Sequence, residues 1–210
     1  AAEGADQALS LNGTSAYVQV PDTPSLRLTN TDFTVSAWMR LDQYDAFNSA
    51  ILFKRLDGDG NFGWAFMVAG TSQGAEATRP AFAVSGGTAP RVFGATVLTT
   101  GVWHNVAVTY DRASSNATLY LDGAFDGQAF LPPPASVAQP LRIGADSDIL
   151  RYFFQGRLDE LQIWSKKMCQ CEVQSNMYRR LAGTESNLVA YWNFDDGTAR
   201  DGTAYANNGS

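Results

Sequence analysis

The chain has 210 residues, 17% of them charged and 45% hydrophobic, which is enough apolar material for one large β core and too much for a disordered chain. Its net charge of -6, with no basic cluster larger than Lys166-Lys167 or Arg179-Arg180, argues against a nucleic-acid partner. No apolar stretch approaches the roughly 20 residues a membrane-crossing helix needs, and Ala1-Ala2-Glu3-Gly4-Ala5-Asp6 resembles neither a signal nor a transit peptide.

Short apolar or alternating runs recur with turn residues between them. They predict strands near 8–12, 16–20, 33–40, 49–56, 62–69, 80–85, 102–110, 117–122, 140–144, 153–164 and 188–194. Strands so short and so regularly spaced predict an all-β fold, a two-sheet antiparallel jelly-roll sandwich formed as a single domain over residues 1–210. In the fifth run Phe62, Trp64, Phe66 and Val68 share one face while Ala65, Met67 and Ala69 occupy the other, as in a central strand covered on both sides. Pro132-Pro133-Pro134 admits no paired strand and sets a stiff crossover. Val173, Met177 and Leu181 recur at i, i+4 and i+8 ahead of Gly183, so one amphipathic helix is expected there. Glu172 stands three residues after Cys169, the spacing of a capping box.

Candidate binding residues fall mostly in loops. Tyr44 sits in Asp42-Gln43-Tyr44-Asp45, a loop setting that suits binding or incidental exposure. Asp57, Asp59 and Asn61 alternate with glycines like the opening of an EF-hand loop, but Phe62 replaces the required glycine and Val68 the closing glutamate, so that motif is rejected. Turn chemistry and ion or ligand binding both remain open for this loop and for Asp146-Ser147-Asp148. Trp64, with Tyr44, Phe47, Phe93 and Tyr152, is read either as packing or as part of an aromatic surface for sugar stacking.

The run from Arg157 to Trp164 carries the sharpest chemical signal. If strand alternation is unbroken, Asp159 shares a face with Leu161 and Ile163, and a core-facing carboxylate requires a cation. The candidates are a calcium ion and the guanidinium of Arg157. His104, the sole histidine, lies inside a strand and reads as a packed, hydrogen-bonded imidazole. No strand carries paired carboxylates in glycosidase order, so no catalytic residue is assigned and the chain is read as a non-enzyme. Cys169 and Cys171 would point far apart on a helix, so free thiols are expected, with an intermolecular bridge as the alternative.

Several blocks resemble, in order, the laminin G-like, concanavalin A-like jelly-roll family, which includes pentraxin-like modules. They are Leu9-Ser10-Leu11-Asn12-Gly13-Thr14, Phe33-Thr34-Val35-Ser36-Ala37-Trp38, Trp103-His104-Asn105-Val106-Ala107-Val108-Thr109-Tyr110, Leu119-Tyr120-Leu121-Asp122-Gly123, Gly156-Arg157-Leu158-Asp159-Glu160-Leu161-Gln162-Ile163-Trp164 and Leu188-Val189-Ala190-Tyr191-Trp192. The resemblance implies an extracellular or cell-surface recognition module, often part of a larger protein, that binds glycans or glycoproteins. A protein adhesion module without sugar binding is the first alternative, and a glycoside hydrolase-like enzyme the second. It also implies a calcium site in which Asp159 is joined by Asn12, Gly13 and Asp201, and a closing strand beyond Asn207-Asn208-Gly209-Ser210.

Overall fold

A computed structural model describes residues 7–56, 62–84 and 90–210. Among them are thirteen strands, one α-helix and two short 3-10 turns. The strands are β1 (Leu9–Asn12), β2 (Val18–Val20), β3 (Phe33–Gln43), β4 (Asn48–Leu56), β5 (Phe62–Ala69), β6 (Pro80–Val84) and β7 (Arg91–Phe93). They continue as β8 (Trp103–Asp111), β9 (Asn116–Leu121), β10 (Ala124–Phe130), β11 (Leu141–Ile143), β12 (Gln155–Trp164) and β13 (Leu188–Trp192). The first sheet runs β1-β12-β3-β8-β9-β10, with β13 also on β12; the second runs β2-β11-β4-β5-β6-β7. Every pairing is antiparallel, as the jelly-roll expectation requires.

Alternation explains how the sheets close on each other. In β3, Phe33, Val35, Ala37, Met39 and Leu41 are buried in the inter-sheet core, while Ser36, Trp38 and Arg40 take the other face. Trp64, Phe66 and Val68 meet them from β5, and Phe33 stacks on Tyr110 with ring centroids 4.9 Å apart. Fully burying each such side chain contributes about 1.5–3 kcal/mol. The opposite face of β5 is also covered, since Ala65 and Met67 join Ala50, Phe53, Ala81 and Ala83 in a separate cluster.

β12 departs from the expected alternation. Asp159 stands opposite Trp38 and Gln162 opposite Ser36, so three steps on β12 match two on β3. The extra residue is accommodated around Glu160, whose backbone is left-handed at φ 49°. Before this bulge Leu158 faces the core; after it Leu161 and Ile163 do. Asp159 is therefore a half-buried residue beside Trp38 on the outer face of the first sheet, and its expected alignment with Leu161 and Ile163 does not occur.

The helix α1 (Gln170–Asn176) is shorter than the sequence spacing suggests. Val173 and Leu181 both pack with Trp164 and Tyr191, but Leu181 does so from beyond the helix. The Met177 carbonyl accepts the Trp38 indole N–H at 2.8 Å, which ties the end of α1 to β3. At its start the Cys169 amide donates to Glu172 Oε2 at 2.9 Å, the reach-back that the capping spacing implies. Cys169 has extended backbone, and in place of free thiols the structure has a disulfide to Cys171 across Cα atoms 5.4 Å apart.

Residues 193–210 fold back along the sandwich. The Asp201 carboxylate, almost fully buried, receives the amides of Tyr191, Thr203 and Asn207, the Thr203 hydroxyl and the Asn207 side-chain amide, all within 3.1 Å. Ser210 exchanges two backbone hydrogen bonds with Gln19 and so covers the outer edge of β2.

Candidate functional site

The outer face of the second sheet carries a cluster of aromatic and cationic side chains. Phe53 and Arg55 alternate outward on β4, and the β6–β7 register sets Phe93 opposite Ala81 and Arg91 opposite Ala83. Small alanines make the floor, which leaves room for the larger rings and guanidinium groups above it.

One buried carboxylate organises the cations. Asp146 is fully buried, and its Oδ2 accepts Arg55 Nη2 at 2.7 Å and Arg151 Nε at 3.0 Å. Arg55 Nε also donates to Oδ1 at 3.2 Å. Ser147 locks the loop to β4 in both directions: its hydroxyl accepts the Arg55 amide at 2.6 Å and donates to the Arg55 carbonyl at 2.8 Å. The Arg55 guanidinium lies 5.2 Å from the Phe53 ring centroid, and that of Arg151 lies 4.5 Å from Tyr152. Tyr152 has left-handed backbone at φ 57° and its carbonyl accepts the Ala50 amide, so its ring is fixed by the sheet.

Beside this cluster lies a groove of about 440 Å³, lined by Gly13, Asp45, Phe47, Arg151, Tyr152 and Phe153. Phe47 is 59% exposed, which is unusual for so large an apolar ring. Its backbone is nevertheless well held: Asp45 Oδ1 accepts the amides of Phe47 and Asn48 at 2.7 and 3.0 Å. Gly70 donates to the Phe47 carbonyl at 2.8 Å, and a Cβ on Gly70 would come within 2.3 Å of the Phe47 backbone, so this close approach requires glycine. Arg91 completes the cationic group. Burial holds its guanidinium below the usual arginine range, and the adjacent Arg55 charge acts in the same direction.

Of the residues singled out from sequence, Asp146, Asp148 and Tyr152 meet here. The Asp148 amide approaches Asp146 Oδ1 at 3.4 Å. Phe47 and Phe93 join Tyr152, as the reading of a stacking surface anticipates. Trp64 does not: it is 1% exposed in the core and its indole donates to the Leu26 carbonyl at 3.0 Å, so a ligand-binding role is corrected to packing. Tyr44 packs against the core and donates to the Leu98 carbonyl, which likewise withdraws it from a binding surface. Asp57, Asp59 and Asn61 lie outside the described residues.

The four residues expected around calcium are not gathered. Asn12 pairs with Gln155, four residues along β12 from Asp159, a separation of about 13 Å in an extended strand. Asn12 Oδ1 instead accepts the amides of Thr14, Ser15 and Ala16, while the Gly13 amide donates to the Phe154 carbonyl. With Asp201 taken up by five donors and no group of three or more His, Cys, Asp or Glu side chains arranged for a metal among the described residues, this set does not fit a calcium site.

Asp159 and Glu160 line a different cleft, of about 900 Å³, on the outer face of the first sheet with Trp38, Trp103, Tyr178 and Arg157. Glu160 accepts the Tyr191 hydroxyl on both carboxylate oxygens, at 2.9 and 2.7 Å. Burial, followed by Glu160, raises the Tyr191 phenol far above its usual range. Tyr178 is 79% exposed and the Arg180 side chain 75%, so the rim of this cleft is solvated where the second-sheet groove is braced.

The arginines Arg55, Arg91 and Arg151 were not anticipated. A signal existed in Phe53-Lys54-Arg55 and Arg91-Val92-Phe93, where cations alternate in phase with aromatic residues on short strands.

These elements make a two-sheet antiparallel jelly roll with one flanking helix and a ring-lined outer groove. The profile of the Laminin_G_3 family, described as the concanavalin A-like lectin/glucanases superfamily, matches residues 12–174, and the chain belongs to this family. A segment of 71 residues is 41% identical to the calpain-type cysteine protease DEK1 of Arabidopsis thaliana; it is 30% of this chain and spans about 3% of that protein. Among solved structures, a Bacteroides ovatus protein whose carbohydrate-binding role is itself a proposal aligns with TM-score 0.73 and 18% identity over 96% of this chain and 58% of that one. The CBM40 of Ruminococcus gnavus IT-sialidase, bound to α2,3-sialyllactose, aligns at 0.65 and 10% identity over 80% and 95% of the two chains. A heptameric SAP-like pentraxin of Limulus polyphemus aligns at 0.61 and 15% identity over 84% and 83%.

Proposed function

We propose that this chain is a noncatalytic, extracellular recognition module that binds glycans or glycosylated proteins through the groove beside Tyr152. The observation that carries this reading is the pairing of two presented rings, Phe47 and Tyr152, with a guanidinium braced 4.5 Å from one of them. Aromatic faces stack on the C–H faces of sugar rings, while a fixed guanidinium fork donates to hydroxyl or carboxyl oxygens. Asp146, beside the groove, holds Arg55 and Arg151, and Asp45, in its lining, accepts the amides of Phe47 and Asn48, so both act as positioning groups rather than proton donors or nucleophiles. Sugar hydrolysis would need two carboxylates facing one bond. Fold relatives that carry sugars support the same reading, among them the Ruminococcus gnavus module bound to sialyllactose.

A glycan array tests it. Wild-type protein is expected to bind a related group of glycans, and Tyr152→Ala and Phe47→Ala to lose that binding while keeping the wild-type circular dichroism spectrum. An array without binding, or hits that survive both substitutions, would overturn the proposal.

A further inference from the structure

Among the described residues, no anion meets the chemical requirement of Arg91. It projects from β7, at the edge of the second sheet, on the same face as Phe93 and beside Arg55 and Tyr152. The side chain is half-buried, yet among the described residues it has neither an ion pair nor a side-chain hydrogen bond. The fully buried anion of this face, Asp146, already serves Arg55 and Arg151. Asp148, half-buried in the same loop, directs its amide toward Asp146. A partly desolvated cation next to a second cation is unfavourable unless an anion completes it. Arg55, Arg91 and Arg151 gather on this face of a chain whose net charge is -6, so the clustering of arginines is not a general property of the surface.

We propose that the outer face of the second sheet, from the groove to β7, selects acidic sugars, with Arg91 binding the sugar carboxylate beside the groove while the ring lies against the aromatic side chains of Phe93, Tyr152 and Phe47. The inference rests on the glycan-binding reading and adds the ligand class to it. A guanidinium is the fitting group, because its planar fork meets a carboxylate with two parallel hydrogen bonds. Arg55 is restrained by Asp146 and supplies field rather than a second fork. The same fork would accept a sulfate ester, and the test includes that arm.

Titration calorimetry with matched sugar pairs decides the matter, using oligogalacturonides against their methyl esters and sialyllactose against lactose, with a sulfated galactan oligomer as the third arm. At least one carboxylated sugar is expected to bind about tenfold or more tighter than its neutral partner, the scale of one charge-assisted pair. Added salt should narrow that gap. Arg91→Gln is expected to erase the preference without lowering the melting temperature, and Arg91→Lys to restore part of it.

Equal affinity for both members of each pair, preference for the sulfated oligomer over every carboxylate, or a preference that survives Arg91→Gln would each overturn the proposal. Those outcomes leave glycan binding standing. Failure of every sugar to bind would overturn the glycan reading along with this one.

Discussion

Asp146 and Arg55 meet at 2.7 Å beneath the surface, and the pair fixes the distance between the loop before β12 and the second sheet. Arg55 and Arg151 both donate to this one carboxylate, so Asp146→Ala removes an anion that two guanidinium groups share. We expect a loss of about 3–5 kcal/mol, the usual result of removing one partner of a buried pair. Urea unfolding of the variant measures it; a change below about 1 kcal/mol would place the pair among ordinary surface ion pairs.

Lys54 and Asp22 offer an asymmetric test. Lys54 is fully buried and donates to Asp22 Oδ1 at 2.5 Å and to the Gln139 carbonyl at 2.6 Å, whereas Asp22 also holds Arg27. Asp22→Asn strands a buried ammonium and is expected to cost about 3 kcal/mol or more; Lys54→Met leaves Asp22 paired with Arg27 and is expected to cost about 1 kcal/mol. The Arg27 hydrogen bond, aided by Lys54, holds the Asp22 carboxyl below its ordinary 3.8. A lowered carboxyl stabilises the fold above the unfolded value, and that contribution is lost as pH falls through the folded value. Urea midpoints followed from neutral pH to about pH 2 should therefore fall less steeply in Asp22→Asn than in wild type.

The bulge at Glu160 sets which side chains of β12 enter the core. Deleting Glu160 would remove the extra residue and restore simple alternation, with Leu158, Leu161 and Ile163 still on the core face. We expect that deletion to keep a cooperative thermal transition, whereas inserting one further residue after Asp159 into an unbulged strand would turn Leu161 and Ile163 outward and abolish it. Glu160→Gly keeps the bulge and suits its left-handed backbone, losing chiefly the contact with Tyr191, so a change of about 1 kcal/mol is expected.

Asp201 is held by hydrogen-bond donors, and its contribution should be independent of metal. Asp201→Asn replaces an acceptor oxygen by a donor in front of amides that need acceptors, a change expected to cost about 2–4 kcal/mol. Melting curves with and without a chelator are expected to show the same loss. A loss that vanishes when chelator is present would return Asp201 to the metal ligands.

Most of the fold was legible because β3 keeps the period of two that burial on one face imposes, while β5 and β8, covered on both faces, read as short apolar runs between turn residues. β7 and β10 were missed for opposite reasons: Arg91–Phe93 is too short to show a period, and Ala124–Phe130 carries Asp126 and Gly127 at a register shift. The expected core-facing placement of Asp159 failed at a single residue. Glu160 has a side chain that gives no hint of left-handed backbone, and one inserted residue inverts the facing of everything after it. The groove was half legible, because rings and loop acids attract notice while strand-borne arginines read as solvent-facing until the fold brings three of them to one face.

The most direct test of glycan recognition at this groove is amide chemical-shift mapping of isotope-labelled protein titrated with its strongest array ligand. The account expects saturable shifts at Phe47, at Arg91 to Phe93 and at Arg151 to Phe153, with the residues around Trp38 and Tyr178 unmoved. Shifts centred on Trp38, Trp103 and Tyr178, with the Tyr152 loop silent, would contradict it.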